Sequence, residues 1–101
     1  MNIVLLIGRL TQDVEIREHP NGNYARINLA VRRDFKNSDG VYDTDFIPIT
    51  LWEGAATTCK EYCKKGSLIS IKCRLQQNIW EDDDKKTHYD IDIIGEKICL
   101  I

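Results

Sequence analysis

Apolar and polar residues alternate with a period of two through most of this chain, and this alternation constrains the fold more than any other feature. Successive side chains of a β-strand point to opposite faces, so the pattern predicts strands with one buried face. Clusters of turn-forming residues separate the alternating segments. We predict strands at residues 2–10, 27–32, 46–52, 67–80 and 88–93, with a short segment at 97–101 ending the chain.

The sequence contains one helix candidate, Gly54 to Lys65, between the third and fourth strands. Gly66 follows it and is expected to be the left-handed residue that ends the helix. The apolar residues that recur at helical spacing are Ala55, Cys59, Tyr62 and Cys63. Five strands with one helix between strands 3 and 4 are typical of the OB-fold, a Greek-key barrel, so we predict an all-β OB-fold.

Length and charge set further limits. A chain of 101 residues is enough for one domain, which we expect to span residues 1–101. The net charge is −2, but the charges are unevenly distributed: residues 26–36 carry +3, residues 60–74 carry +4, and residues 81–84 are all acidic. A basic face on an acidic protein is therefore expected.

The residue types do not favour catalysis or metal binding. Cys59 and Cys63 have a spacing that could hold zinc, but the usual CxxC pairs are absent, and we favour buried free thiols and no metal. No nucleophile or phosphate-loop motif accompanies His19 or His88, so we expect neither an enzyme nor a cofactor. No signal peptide or membrane-spanning run occurs, which favours a cytoplasmic protein.

The third strand has two different apolar faces. One is aliphatic, whereas the other carries Phe46 and Trp52, about 20 Å apart along an extended strand. Pro48 lies between these two rings and has no backbone N–H, so one edge of the strand should be unpaired or bulged there. The aliphatic face consists of Ile47, Ile49 and Leu51.

Aromatic side chains beside positive charge are typical of single-stranded nucleic acid binding, because bases stack on rings and phosphates pair with cations. Trp80 shares a strand face with Lys72 and Arg74, and Phe35 follows two arginines. The alternation alone does not decide between base stacking and a place in the core or in a subunit interface.

Both faces of the first strand are apolar. A small barrel buries only one face of a strand, so the other should be covered by a partner subunit. The residues concerned are Ile3, Val4, Leu5, Leu6 and Ile7.

Several stretches in register resemble the bacterial single-stranded DNA-binding protein (SSB) family. They are residues 2–17, 20–22, 27–30, 45–52 and 62–67, with Arg74, Leu75, Trp80 and Tyr89. The family is an OB-fold that binds single-stranded DNA without sequence preference in replication, recombination and repair. The resemblance therefore implies a nucleoid-associated DNA-binding protein that forms homotetramers or dimers through its first strand.

The resemblance also implies site residues. The base-stacking positions of the family fall on Phe35, Phe46, Trp52 and Trp80. Phosphate contacts are expected from Arg9, Arg33, Lys36, Lys65, Lys72 and Arg74.

The sequence departs from the family at its end. Family members continue into a flexible tail that recruits replication and repair enzymes, whereas this chain stops at Ile101, so we expect a tail-less form without such recruitment. A tail-less OB-fold also resembles the dimeric primosomal replication proteins, which bind both DNA and protein. An OB adaptor whose aromatic face binds protein is the remaining alternative.

Overall fold

The computed structural model describes residues 1–101, and the alternating segments form five strands in it. The elements are β1 (Val4–Leu10), β2 (Tyr24–Lys36), β3 (Tyr42–Trp52), α1 (Glu53–Tyr62), β4 (Leu68–Glu81) and β5 (Thr87–Leu100). The strands form a closed barrel in the order β1-β2-β3-β5-β4, and only β3 and β5 pair in parallel. The predicted OB-fold, with one helix between strands 3 and 4, is confirmed.

The barrel core contains the inward-facing residues of the alternation. In each of β2, β3 and β4, every second residue points inward, and those at the centre of the strands are almost fully buried. Fully burying one such side chain contributes about 1.5–3 kcal/mol. These residues, at most 5% exposed, include Ile27, Leu29, Ile49, Leu51, Ile69 and Ile71.

Helix α1 packs its buried face against β2, β3 and β5, but it ends three residues earlier than the sequence predicts. Cys63 has extended backbone (φ −124°, ψ 151°) and buries its own side chain. The buried residues at this end are therefore Ala56, Cys59 and Cys63, and the expectation that Tyr62 is buried is wrong, since its side chain is 64% exposed.

The sequence predicts that Gly66 ends the helix. In the structure, Gly66 lies instead in the turn that leads into β4. The Ser67 N–H donates to the Lys64 carbonyl at 2.9 Å, and the turn places Gly66 at φ 89°, a conformation that L side chains rarely adopt. The Gly66 N–H donates to the Leu10 carbonyl at 2.8 Å and ties this turn to the end of β1.

The chain end, predicted as a separate short segment, is the continuation of β5. Lys72 lies opposite Lys97, but Cys73 lies opposite Gly95, so Glu96 forms a bulge. The bulge turns Gly95 inward, where a side chain would overlap Leu51.

Beyond Cys73, β4 and β5 continue past the barrel as a two-stranded arm. The arm pairs residues 75–81 with residues 87–93, and neither segment pairs with a third strand. All of residues 75–81 are exposed. We call this hairpin the β4–β5 arm.

Candidate nucleic-acid interface

The outward-facing side chains of β2 and β3 form one continuous surface, which we call the β2–β3 face. Along both strands its side chains alternate with the buried aliphatic side chains, which point the other way. Phe46 and Trp52 therefore both lie on this face, as the alternation predicts. Its cross-strand pairs are Tyr24–Trp52, Arg26–Thr50, Asn28–Pro48, Ala30–Phe46 and Arg32–Thr44.

The rings of the β2–β3 face differ in exposure. Phe46 is 62% exposed and lies opposite the small Ala30. Trp52 is less exposed than Phe46, because its ring centroid lies 5.3 Å from that of Tyr24 and 5.6 Å from that of His19. Only the open side of Trp52 can therefore receive a base.

Phe35 lies near the turn that joins β2 to β3, and its side chain is 65% exposed. The pairing register shifts between Arg32 and Lys36, so strand alternation does not assign Phe35 to a face. Its exposure leaves the ring free to stack.

Trp80 lies on the β4–β5 arm and is fixed on two sides. His88 stacks on one face of the indole, with centroids 4.3 Å apart and planes 15° apart. The indole Nε1–H donates to Asp90 Oδ2 at 2.6 Å. One face of Trp80 is thus covered, and only the other can stack on a base.

His88 is itself held in place by Asp82, whose Oδ2 lies 2.7 Å from His88 Nε2. The hydrogen bond from His88 lowers the pKa of the Asp82 carboxyl, as do the backbone N–H groups of Lys86 and Asp84. The surroundings of Trp80 are therefore mainly carboxylate rather than cationic.

Arg33, an expected phosphate ligand, lies on the other side of β2 from the β2–β3 face. Its Nε and Nη2 donate to the two carboxylate oxygens of Asp45 at 3.0 and 2.9 Å, and Nη1 lies 3.8 Å from Asp43. This pairing lowers the pKa of Asp45 and raises that of Arg33. The guanidinium is already occupied, which argues against a phosphate contact from Arg33.

Two arginines that sequence reasoning missed, Arg26 and Arg32, lie on the β2–β3 face. Neither forms an ion pair, and Arg32 Cζ lies 4.4 Å from the centre of the Tyr42 ring. Alternation from Ile27 was the available signal, because it assigns even-numbered residues of β2 to the outside.

Two of the expected phosphate ligands, Arg9 and Lys36, lie next to this surface, and a third, Lys65, lies in the turn that Arg9 contacts. Arg9 lies opposite Ala30, which lies opposite Phe46, so two strand spacings, or about 10 Å, separate the backbones of Arg9 and Phe46. Arg9 Nη1 donates to the Gly66 carbonyl at 2.9 Å, beside Lys65. Lys36 has its Nζ 5.7 Å from the centre of the Tyr42 ring.

The remaining two lie elsewhere. Lys72 is opposite Leu5 of β1 and Lys97 of β5, on the outer surface of β1, β4 and β5 rather than beside the rings of the β2–β3 face. Arg74 is at the base of the β4–β5 arm, where its Nη2 donates to Gln76 Oε1 at 2.9 Å. The structure therefore does not bring the six basic residues into one cluster.

The first strand divides its apolar residues between two sides. Val4 and Leu6 are partly buried and pack against the core, so they offer less surface to a partner than the other three residues of the predicted interface. Ile3, Leu5 and Ile7 point outward and are 47%, 73% and 60% exposed. The expected subunit interface stays a prediction for these three residues.

Three of the four cysteines are buried free thiols as predicted, whereas that prediction is wrong for Cys99. Cys59, Cys63 and Cys73 are buried, and Cys99 is exposed. Burial raises the pKa of Cys59 to about 12 and that of Cys73 to about 11, so both thiols remain protonated and unreactive at neutral pH. The 10-residue α1 is too short to cross a membrane.

A closed OB barrel with rings and free guanidinium groups on one outer face belongs to the class of OB-fold proteins with an aromatic and cationic surface. The model of the Single-strand binding protein family matches residues 1–101. The chain belongs to this family.

Among its relatives is a "Single-stranded DNA-binding protein" of Oceanobacillus iheyensis, 37% identical over 102 residues. The alignment covers all of this chain and 63% of that relative. "Single-stranded DNA-binding protein 1" of Clostridium acetobutylicum is 36% identical, with 100% of this chain and 94% of the relative covered. "Single-stranded DNA-binding protein B" of Bacillus subtilis is 35% identical, with 96% and 87% covered.

Proposed function

We propose that this protein binds single-stranded DNA without marked sequence preference and protects it during replication, recombination or repair. The observation that carries the proposal is the β2–β3 face, where Phe46 and Trp52 share a surface with two guanidinium groups that have no carboxylate partner. Names of relatives that are 35–40% identical over nearly the whole chain support it. They favour DNA binding over an adaptor that binds only protein.

Binding on this face combines two interactions. Exposed rings stack on bases, with about 1–3 kcal/mol per stacked base, and this attraction is tolerant of sequence because every base has a flat face. Cationic side chains follow the phosphates and release counterions, which makes the affinity depend on salt. The rings are Phe35, Phe46, Trp52 and Trp80, and the cations best placed beside them are Arg9, Arg26, Arg32 and Lys36, with Lys65 in the turn that Arg9 contacts.

Self-association through β1 is part of the proposal. Ile3, Leu5 and Ile7 form an outward apolar row, and exposed rows of this kind are typical of subunit interfaces. A homotetramer, or a dimer, would cover them, and the assembly would act on DNA in the bacterial nucleoid. The activity is binding, with no chemical step and no cofactor.

Titration with oligo-dT tests the proposal. The two tryptophans should lose fluorescence when bases stack on them, and the affinity should fall as salt rises, with a log–log slope of about −0.7 per phosphate neutralised. Unchanged tryptophan emission at low salt and saturating oligonucleotide would contradict base stacking.

Molar mass from light scattering, with and without a poly-dT strand of roughly 35 nucleotides, tests the assembly and its DNA complex together. We expect a multiple of 11.7 kDa for the free protein, and a larger mass with DNA. A monomer that stays at one chain mass would refute the β1 interface.

A further inference from the structure

Between Phe46 and Trp52, the β2–β3 face is interrupted by a groove of about 350 Å³, which we call the Pro48 groove. Its lining comes from both sides of the gap between β3 and β5, and includes Arg26, Pro48, Thr50, Ile91, Asp92 and Ile93. The groove is at the small end of the size range of ligand sites, suited to one ring rather than to a peptide or a helix.

Pro48 explains why the groove is open. The carbonyl of Asn28, the β2 partner of Pro48, accepts the Thr11 N–H at 3.1 Å and so points toward β1. Asn28 and Pro48 are therefore a non-hydrogen-bonded pair, and the nitrogen of Pro48 points away from β2, toward β5. With no N–H there, β3 cannot donate to β5 at this position.

The pairing of β3 with β5 stops accordingly. The two strands pair at Thr50–Ile94 and Leu51–Gly95, and the same register would set Pro48 opposite Asp92. No pair forms at that position, and the strands leave the gap that becomes the groove.

Two side chains of opposite charge line the groove without being paired to each other. Arg26 belongs to β2 and Asp92 to β5, and neither forms an ion pair within the chain. The aliphatic residues Ile91 and Ile93 supply the apolar part of the lining. Such a site offers an apolar contact, a guanidinium donor and a carboxylate acceptor.

We propose that the Pro48 groove receives one nucleobase of the bound strand and favours a base with an exocyclic amine, cytosine over thymine. A carboxylate accepts a hydrogen bond from the N4 amine of cytosine, and the guanidinium donates to its ring nitrogen or carbonyl. Thymine has the O4 carbonyl at the position of the cytosine amine, so an acceptor rather than a donor faces Asp92 when the ring is held in the same orientation. This proposal rests on the proposed binding of single-stranded DNA and adds a base preference at one position.

The decisive experiment compares oligo-dC with oligo-dT of equal length at pH 7.5, using the wild type and Asp92→Asn. The ratio of the two affinities within one protein variant is the readout, so differences in strand flexibility and stacking cancel between variants. Asp92→Asn keeps the shape of the side chain but adds an N–H donor, and should move the dC-to-dT affinity ratio about fivefold toward dT.

Asp39→Asn is the matched control. It makes the same chemical and charge change in the turn between β2 and β3, where Gly40 N–H donates to the Asn37 carbonyl, away from the groove. The ratio should stay at the wild-type value in this variant. A wild type that binds both oligonucleotides with a ratio unaffected by Asp92→Asn would overturn the groove proposal alone, whereas a wild type that binds neither would overturn the proposed function as well.

Pro48→Thr provides a second test that does not depend on DNA. Restoring the N–H should allow the β3–β5 ladder to extend and close the groove, which slows amide exchange at Ile91 and Ile93. The base preference should disappear with it. Unchanged exchange at these amides would show that Pro48 does not hold the groove open.

Discussion

The β2–β3 face and the β4–β5 arm both present aromatic rings, but the charges around those rings are opposite. On the β2–β3 face, Arg26 and Arg32 of β2 point to the same side as Phe46 of β3, and neither arginine has a carboxylate partner. On the arm, Trp80 donates to Asp90, and Asp82 holds the His88 ring that stacks on it. Ring position and phosphate attraction are therefore separable, since only the β2–β3 face supplies both.

Removing a ring from the β2–β3 face should have the largest effect. Phe46→Ala should weaken oligo-dT binding by about 1–3 kcal/mol, because one stacked base is lost. Its stability should change little, since the ring is 62% exposed. The measurement is fluorescence anisotropy of a labelled oligonucleotide, with thermal unfolding alongside.

Tyr62→Ala is the control, because Tyr62 is 64% exposed but lies on α1. It should leave the affinity unchanged. Equal losses in the two variants would mean that exposure, rather than place on the face, determines the effect.

Trp80→Ala should weaken oligo-dT binding by less, about 1 kcal/mol, because His88 covers one face of the indole. The salt dependence of binding should stay as in the wild type, since carboxylates rather than cations surround this ring. Anisotropy titrations at three salt concentrations measure both quantities. A clearly shallower salt slope in this variant would show that phosphates are bound at the arm as well as on the β2–β3 face.

The neighbours Arg32 and Arg33 offer a sharper comparison within one strand. Arg32→Ala should lower the affinity a few-fold and make the log–log salt slope shallower by about 0.7, the value for one phosphate contact on a single strand. Arg33→Ala removes the same charge, but should leave that slope unchanged because Asp45 already occupies the guanidinium. The reverse result would return Arg33 to the phosphate ligands.

Acid should have a small, local effect on the arm. The pKa of Asp82 is lowered in the folded state by its hydrogen bond from His88, so the carboxylate stabilises the arm above the ordinary Asp pKa of about 4. This stabilisation is lost as the pH falls through the lowered value. Amide exchange at Asp84 and Lys86, which donate to Asp82 Oδ1, should therefore accelerate in that range.

Asp82→Asn should abolish this pH dependence at the two amides, because the amide side chain does not titrate. A step that persists in the variant would assign it to another carboxylate.

The sequence predicted the barrel because its alternation is local information. Each strand shows its buried face in its own residues, as Ile27 and Leu29 do, and Pro48 marks its open edge. The outward placement of Phe46 and Trp52 followed from the same parity. These features need no knowledge of which strand lies next to which.

What the sequence did not predict depends on cross-strand register. The pairing of Arg33 with Asp45 and the packing of Trp52 on Tyr24 arise only after β2 and β3 align. The end of α1 depends on tertiary packing as well, since Cys63 takes extended backbone while its side chain is buried. Spacing along the chain contains no signal for such contacts.

Pro48 also affects whether strands of other molecules can add to the barrel. Between Tyr42 and Ile49, the edge of β3 that is turned away from β2 has no pairing strand in the chain, and bare edges invite strands from other molecules to add on. A proline whose missing N–H faces that edge makes it a poor template for such addition. Pro48, which keeps the groove open, thereby also makes this edge of β3 less prone to aggregation.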